Sequence, residues 1–254
     1  MRNFAICLLF CMGLTGCLVV ATPTALPTAT PLPPTSTPTP TPVWFPPTAT
    51  PTRYPTATTV PPTPEQRPGV GEIILSDDFV TADAWELSST AKGSVALGHN
   101  ELSIHVATSK AYISSFRSEP ILGDFYAEIT ASPTLCRGLD EYGLLFRSAS
   151  PQDYYRFSLS CDGQVRLSRV YRGEVSFPQP WMLGTMIPVG APSVSRLGVW
   201  VVGKEMRFFV NDQYQFTVKD PLFANGTLGI FARSAGETVV TVSFSALVVR
   251  QVIK

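Results

Sequence analysis

The sequence predicts an all-β protein, an antiparallel sandwich that follows a long proline-rich segment, and three observations lead to this prediction. Apolar and polar residues alternate with period two through residues 72–254. Turn-forming residues interrupt the alternation at short intervals. No stretch of ten or more residues keeps a 3.6-residue period with helix caps. Roughly a dozen strands of about seven residues therefore pair into an antiparallel sandwich.

The N-terminal residues have the plan of a secretory signal peptide. Arg2 precedes an apolar run that is too short to span a bilayer, and the run ends in Leu14-Thr15-Gly16-Cys17. This ending resembles a bacterial lipobox. The resemblance implies removal of residues 1–16, a diacylglyceride on Cys17 and a lipidated N-terminus over 17–21. It thus predicts an extracytoplasmic protein of the cell envelope, anchored to the membrane. An ordinary signal peptide and a single anchor helix are the alternatives.

Residues 22–68 form a linker in which 31 of 47 residues are Pro or Thr. Proline fixes φ and removes amide donors, so this composition excludes helix and sheet and leaves extended, disordered chain. Fully extended, it reaches about 145 Å, which suits a spacer between a membrane and a domain.

Charge and cysteine content narrow the function classes. Without residues 1–16 the chain has 18 basic and 19 acidic residues, which does not favour nucleic acid as a partner. Two strands separate Cys136 from Cys161, so both lie at the same end of the sheet. The sequence therefore predicts a disulfide between them.

The alternation assigns strand faces in the domain over 72–254. Apolar faces are expected at alternate positions of four segments, 125–131, 155–161, 197–210 and 240–248, the last including Ala246 and Val248. Arg169 falls on an apolar face. A three-residue loop, Asp162-Gly163-Gln164, should join two strands and place Leu159 opposite Leu167, because paired residues face the same side.

Several segments resemble the concanavalin A-like lectin/glucanase superfamily, and in particular its LamG-like and 3-keto-disaccharide hydrolase-like domains. The resemblance covers most of residues 72–250 and implies a jelly roll. It rests on Glu141-Tyr142-Gly143-Leu144-Leu145-Phe146-Arg147, Asp153-Tyr154-Tyr155-Arg156-Phe157, Phe209-Val210-Asn211-Asp212 and Gly226-Thr227-Leu228-Gly229-Ile230-Phe231-Ala232. These are strand and turn signatures, which specify fold better than activity.

No catalytic residue is assigned. Retaining glucanases of this superfamily carry carboxylates at alternate positions of one strand, and this sequence has no such motif. Its adjacent acidic pairs, Asp77-Asp78 and Asp140-Glu141, are interpreted as solvated turn residues. No cofactor is expected, with calcium bound by Asp77, Asp78 and Asp220 as an alternative. The protein is expected not to be an enzyme, although this stays open.

The remaining candidate site is a polar sheet face. Alternation directs six side chains away from the core, with Arg147 opposite Tyr154: Tyr126, Glu128, Arg147, Tyr154, Arg156 and Arg166. Aromatic rings beside guanidinium groups suit sugars and carboxylates, while a solvated face is the structural alternative. The end loops around 133–140 and 179–192 are an alternative location for the binding site. We therefore expect a displayed, non-catalytic module that binds a glycan or surface polymer. A glycan-cleaving hydrolase and an adhesion domain are the alternatives.

Overall fold

The computed structural model describes residues 65–236 and 238–253. The predicted signal peptide, Cys17 and linker residues 22–64 lie outside them. Regular structure in the described residues consists of β-strands, and no helix there is long and apolar enough to cross a membrane. The strands are β1 (Val70–Asp77), β2 (Ser88–Thr90), β3 (Gly93–Leu97), β4 (Leu102–Val106), β5 (Tyr112–Phe116), β6 (Phe125–Leu135), β7 (Glu141–Ser150), β8 (Asp153–Ser160), β9 (Gln164–Tyr171), β10 (Glu174–Leu183), β11 (Ser195–Val202), β12 (Glu205–Val210), β13 (Gln213–Lys219), β14 (Thr227–Arg233) and β15 (Val240–Val252).

Two antiparallel sheets form the sandwich, which confirms the predicted fold class. The nine-stranded sheet has the order β13-β12-β11-β6-β15-β4-β3-β2. In it β1 pairs with the C-terminal part of β15, and β4 pairs with the N-terminal part. The six-stranded sheet has the order β10-β9-β8-β7-β14-β5. One face of each sheet is thus free of the core.

The core lies between the sheets and is built from the alternating apolar residues. Phe146 and Phe157 from the six-stranded sheet meet Phe208 of the nine-stranded sheet, with ring centroids 6.0 and 4.9 Å from it. Phe216 stacks on the same ring at 4.6 Å. Removing one such buried ring costs about 3–5 kcal/mol, so the predicted alternation accounts for much of the packing.

The predicted alternation is wrong at the end of β15. Val240, Val242 and Phe244 are buried, but the pairing with β6 shifts between Ser245 and Val248. Ala246 adopts a φ of 50° and is exposed, and the buried face continues with Leu247 and Val249. A β-bulge has moved the side chains by one position, so Ala246 and Val248 do not share the predicted face.

The β8–β9 hairpin differs in register from the prediction. Leu159 pairs with Val165 and Phe157 with Leu167. The loop between the strands is therefore Cys161-Asp162-Gly163, one residue earlier than predicted. Core side chains of the two strands still lie opposite each other, because paired residues face the same side of a sheet.

The Cys136–Cys161 disulfide is confirmed, with the two Cα atoms 5.9 Å apart. It joins the chain just after β6 to the β8–β9 turn. The two β-strands between the cysteines, β7 and β8, return the chain to the same sheet end, which is the reason given for the prediction.

Residues of the predicted linker contact the nine-stranded sheet. Pro68 O accepts a hydrogen bond of 2.9 Å from Trp200 Nε1, and Gln66 O accepts one of 3.0 Å from Arg207 Nη1. With β1 beginning at Val70, contacts with the domain start earlier in the chain than the predicted boundary at residue 72.

Candidate functional site

A groove of about 520 Å³ lies on the outer face of the six-stranded sheet. Successive side chains on a strand point to opposite faces, so residues that alternate with the core side chains of β8, β9 and β14 reach this face. Aromatic rings and guanidinium groups line it: Tyr112, Tyr154, Arg156, Arg166, Phe177 and Arg233. We refer to this cavity as the groove.

A buried carboxylate holds two of these arginines beneath the groove. Glu141 is fully buried and accepts a hydrogen bond of 2.7 Å from Arg166 Nη2 and one of 2.9 Å from Arg233 Nη1. Burial acts to raise the pKa of Glu141, but Arg156, Arg166 and Arg233 together hold that pKa below its usual value. Glu141 is thus an ionised anchor for the guanidinium groups.

Aromatic rings pack against two of the guanidinium groups. The Arg166 guanidinium carbon lies 4.2 Å from the centroid of Trp181 and 4.8 Å from that of Phe177. The Arg156 guanidinium carbon lies 5.3 Å from the centroid of Phe231. Stacking of this kind orients a guanidinium group without consuming its N–H donors.

Three of the predicted site residues, Tyr154, Arg156 and Arg166, line the groove together. Tyr154 and Arg156 are nevertheless only 6 and 7 % exposed, because they pack among neighbouring side chains of the outer face. Each is therefore more buried than a solvated sheet face implies.

Arg147 is not on this face, and its predicted position was wrong. Its side chain is 1 % exposed, and its guanidinium group donates to the carbonyl oxygens of Gly203 (2.7 Å), Phe223 (2.9 Å) and Gly123 (3.0 Å). Burial lowers the pKa of this guanidinium from its ordinary value. Arg147 thus ties three backbone segments together.

A bulge causes this reversal. Phe146 pairs with Tyr155 and Ser150 with Asp153, so residues 147–149 of β7 stand opposite a single residue of β8. Arg147 adopts a φ of 49° there. Simple alternation does not hold across such an irregularity.

Tyr126 and Glu128 lie on the outer face of the other sheet. Tyr126 OH donates a hydrogen bond of 2.5 Å to Glu128 Oε1 and accepts one of 2.9 Å from Arg67 Nη1. Burial and the Glu128 carboxylate raise the pKa of Tyr126 well above its usual value. These two residues therefore form no common surface with Arg156 and Arg166, because alternation identifies the face away from the core but not the sheet.

The carboxylates at 140 and 141 are not the solvated turn residues that were predicted. Asp140 is 1 % exposed and accepts hydrogen bonds from the amide nitrogen atoms of Arg137 and Ala235 and from Thr238 Oγ1. Alternation from the buried Tyr142 placed Glu141 on the outer face, and this signal was available in the sequence.

The groove is also lined by residues that the sequence did not predict for the site, namely Tyr112, Phe177 and Arg233, and Trp181 packs on the guanidinium group of Arg166. Arg233 could have been found because it follows the alternation of β14. Phe177 and Trp181 could not, because the pairing of β10 with β9 shifts twice.

The aspartates considered for calcium are bound to different partners. Asp77 accepts hydrogen bonds from Trp85 Nε1 (2.9 Å) and Arg117 Nη1 (3.0 Å). Asp220 accepts hydrogen bonds from Tyr155 OH (2.7 Å) and Arg169 Nη1 (2.8 Å), which explains an arginine on an apolar face. Over residues 65–236 and 238–253 no group of three or more His, Cys, Asp or Glu side chains could hold a metal ion.

Comparison with known proteins identifies the fold. No protein-family model matches the chain, and no curated protein matches its sequence. A carbohydrate-binding module from Bacillus subtilis superposes with a TM-score of 0.55 at 15% identity, over 66% of this chain and 96% of that one. A Bacillus subtilis protein of unknown function with a galectin-like fold superposes with a TM-score of 0.55 at 12% identity, over 73% of this chain and 98% of that one. A β-glucanase from Bacillus licheniformis superposes with a TM-score of 0.54 at 10% identity, over 71% of this chain and 98% of that one.

The domain thus has the jelly-roll fold of galectin-like modules and glucanases, as the sequence resemblance implied. At these identities the similarity concerns the fold, and function has to be argued from the groove.

Proposed function

We propose that this protein is a membrane-anchored, surface-displayed, non-catalytic module that binds a glycan or a related surface polymer in the groove. The observation that carries the proposal is the groove itself, in which aromatic rings stand beside oriented guanidinium groups on one sheet face. Its size falls within the range of small-ligand sites. The fold shared with a carbohydrate-binding module and a glucanase supports a saccharide as the ligand.

The carboxylates around the groove support binding without hydrolysis. Glycosidases need two carboxyl groups at a defined spacing, and the general acid has a raised pKa. The described lining of the groove includes no acidic side chain. Glu141 beneath it is buried and ion-paired, and its pKa is lowered. This carboxylate is thus poorly suited to donate a proton.

Binding is tested with the full chain, purified in detergent, on a glycan array. Phe177 is 48% exposed on the wall of the groove, so Phe177→Ala should leave folding intact and weaken binding about tenfold or more through lost ring contact. Tyr214→Ala, at a 41% exposed aromatic residue on the other sheet, is the matched control. Equal binding by the two variants would place the ligand elsewhere, and release of reducing sugar from a bound glycan would contradict the non-catalytic function.

The double variant Tyr154→Ala/Arg156→Ala is a less suitable test. Both side chains are buried on the outer face, so their removal lowers stability as well as binding.

The anchor is tested at Cys17. In the proposal, Cys17 carries the lipid and the Pro/Thr-rich linker over 22–68 displays the domain outside the cytoplasm. Cys17→Ser should release the protein from the membrane fraction or leave it unprocessed. If the variant partitions into detergent as the wild type does, lipid attachment at this residue is refuted.

A further inference from the structure

We propose that the groove selects a saccharide that carries a carboxylate, such as a uronic acid unit, and binds that carboxylate through Arg156 together with Arg166. The inference rests on the proposed function and specifies its ligand class.

The charge of the groove is unbalanced. Three guanidinium groups, those of Arg156, Arg166 and Arg233, surround the single carboxylate of Glu141. Their mutual repulsion contributes to the lowered pKa of Arg166, after the larger effect of burial. The whole chain has a formal net charge of zero, so the excess of two positive charges among these four side chains is local. An anionic ligand group would balance it.

Arg156 has donors to spare. A guanidinium group carries five N–H donors. In the described part of the chain Arg156 donates one hydrogen bond, to Ser168 Oγ at 3.5 Å, and its Nε is buried without a partner. Its guanidinium group instead packs against Phe231 and against Tyr112, whose ring centroid lies 5.6 Å away. Arg156 is thus oriented by aromatic rings rather than by an acceptor.

A carboxylate is the group that best fits this arrangement. The planar fork of arginine matches the two oxygen atoms of a carboxylate, and such charge-assisted pairs are stronger than neutral hydrogen bonds. The exposed Phe177 provides an apolar surface beside the arginines for the face of a sugar ring. Aromatic wall and guanidinium fork together therefore fit an acidic saccharide better than a neutral one.

The test uses the full chain in detergent and three acidic polysaccharides: polygalacturonate, alginate and hyaluronan. Each is compared with its own carboxyl-reduced form, which keeps the sugar backbone and removes the charge. At least one acidic polymer should bind about tenfold or more tightly than its reduced form. Its affinity should fall as salt is added.

Variants connect this preference to Arg156. Arg156→Gln should weaken binding of the acidic polymer about tenfold more than it weakens binding of the reduced form, so that the preference for the acidic polymer is lost. Arg156→Lys retains the charge and the apolar stem, so it controls for folding. It should lose several-fold in affinity and keep the salt dependence, because the fork is lost. Arg172→Gln, at an exposed arginine outside the groove lining, should bind as the wild type does.

The outcomes separate this inference from the proposed function. If acidic and reduced polymers bind equally well, or if only neutral glycans bind, the selectivity is refuted while glycan binding stands. If acidic polymers bind better but both Arg156 variants behave as the wild type, the carboxylate site is not at Arg156 and the inference fails. If neither these polymers nor any glycan on the array is bound, both proposals fail.

Discussion

Replacement of Arg147 by alanine tests whether this residue is structural rather than part of the binding face. The substitution removes a charged donor that makes three hydrogen bonds of 2.7–3.0 Å to the backbone carbonyl groups of Gly203, Phe223 and Gly123. Hydrogen bonds to charged groups contribute about 1.5–3 kcal/mol each, and water can replace part of the loss. We therefore expect the free energy of unfolding to fall by about 4 kcal/mol, which corresponds to a melting temperature lower by about 8–16 °C.

Arg172→Ala is the matched control. Arg172 has a φ of 52°, close to the 49° of Arg147, so alanine meets the same left-handed backbone at both positions. Because the Arg172 side chain is exposed, its loss should change stability by no more than about 0.5 kcal/mol. Urea unfolding followed by tryptophan fluorescence measures the difference. Equal stability of the two variants, with ligand binding lost only in Arg147→Ala, would refute the structural role.

Three further predictions concern stability. Reduction of the Cys136–Cys161 disulfide, which closes a loop with a sequence separation of 25, should lower the free energy of unfolding by about 3.5 kcal/mol in urea titrations; no change would contradict the chain-entropy argument. Because the pKa of Glu141 is lowered by folding, its carboxylate stabilises the folded state above the usual carboxyl pKa of 4.5, and this stabilisation is lost as the pH falls. The melting temperature of the wild type should therefore decrease more steeply with falling pH than that of Glu141→Gln. Gly143→Ala places a Cβ 2.0 Å from a backbone oxygen of the opposite strand and should cost about 1–3 kcal/mol in thermal melts, whereas Gly123→Ala, with no atom within 4 Å, should not.

Strand alternation made much of the fold predictable, because it is a local property of extended backbone. The alternation correctly predicted the two-sheet sandwich and the core faces of β6, β8 and β12. Together with the reversal of direction between neighbouring strands, it also predicted the Cys136–Cys161 disulfide. The same rule brought Tyr154, Arg156 and Arg166 to one face.

Tertiary structure decided the remainder of the site. The bulge in β7 turned Arg147 inward, and neither its presence nor the three carbonyl groups that hold the side chain are encoded in the local pattern. The assignment of β6 to the opposite sheet removed Tyr126 and Glu128 from the site. In sequence, Glu141 is one acid beside another. Only the pairing of β7 with β8 and β14 brings it under three arginines, because the charge balance of a site depends on groups that are distant in the chain and adjacent in the sheet.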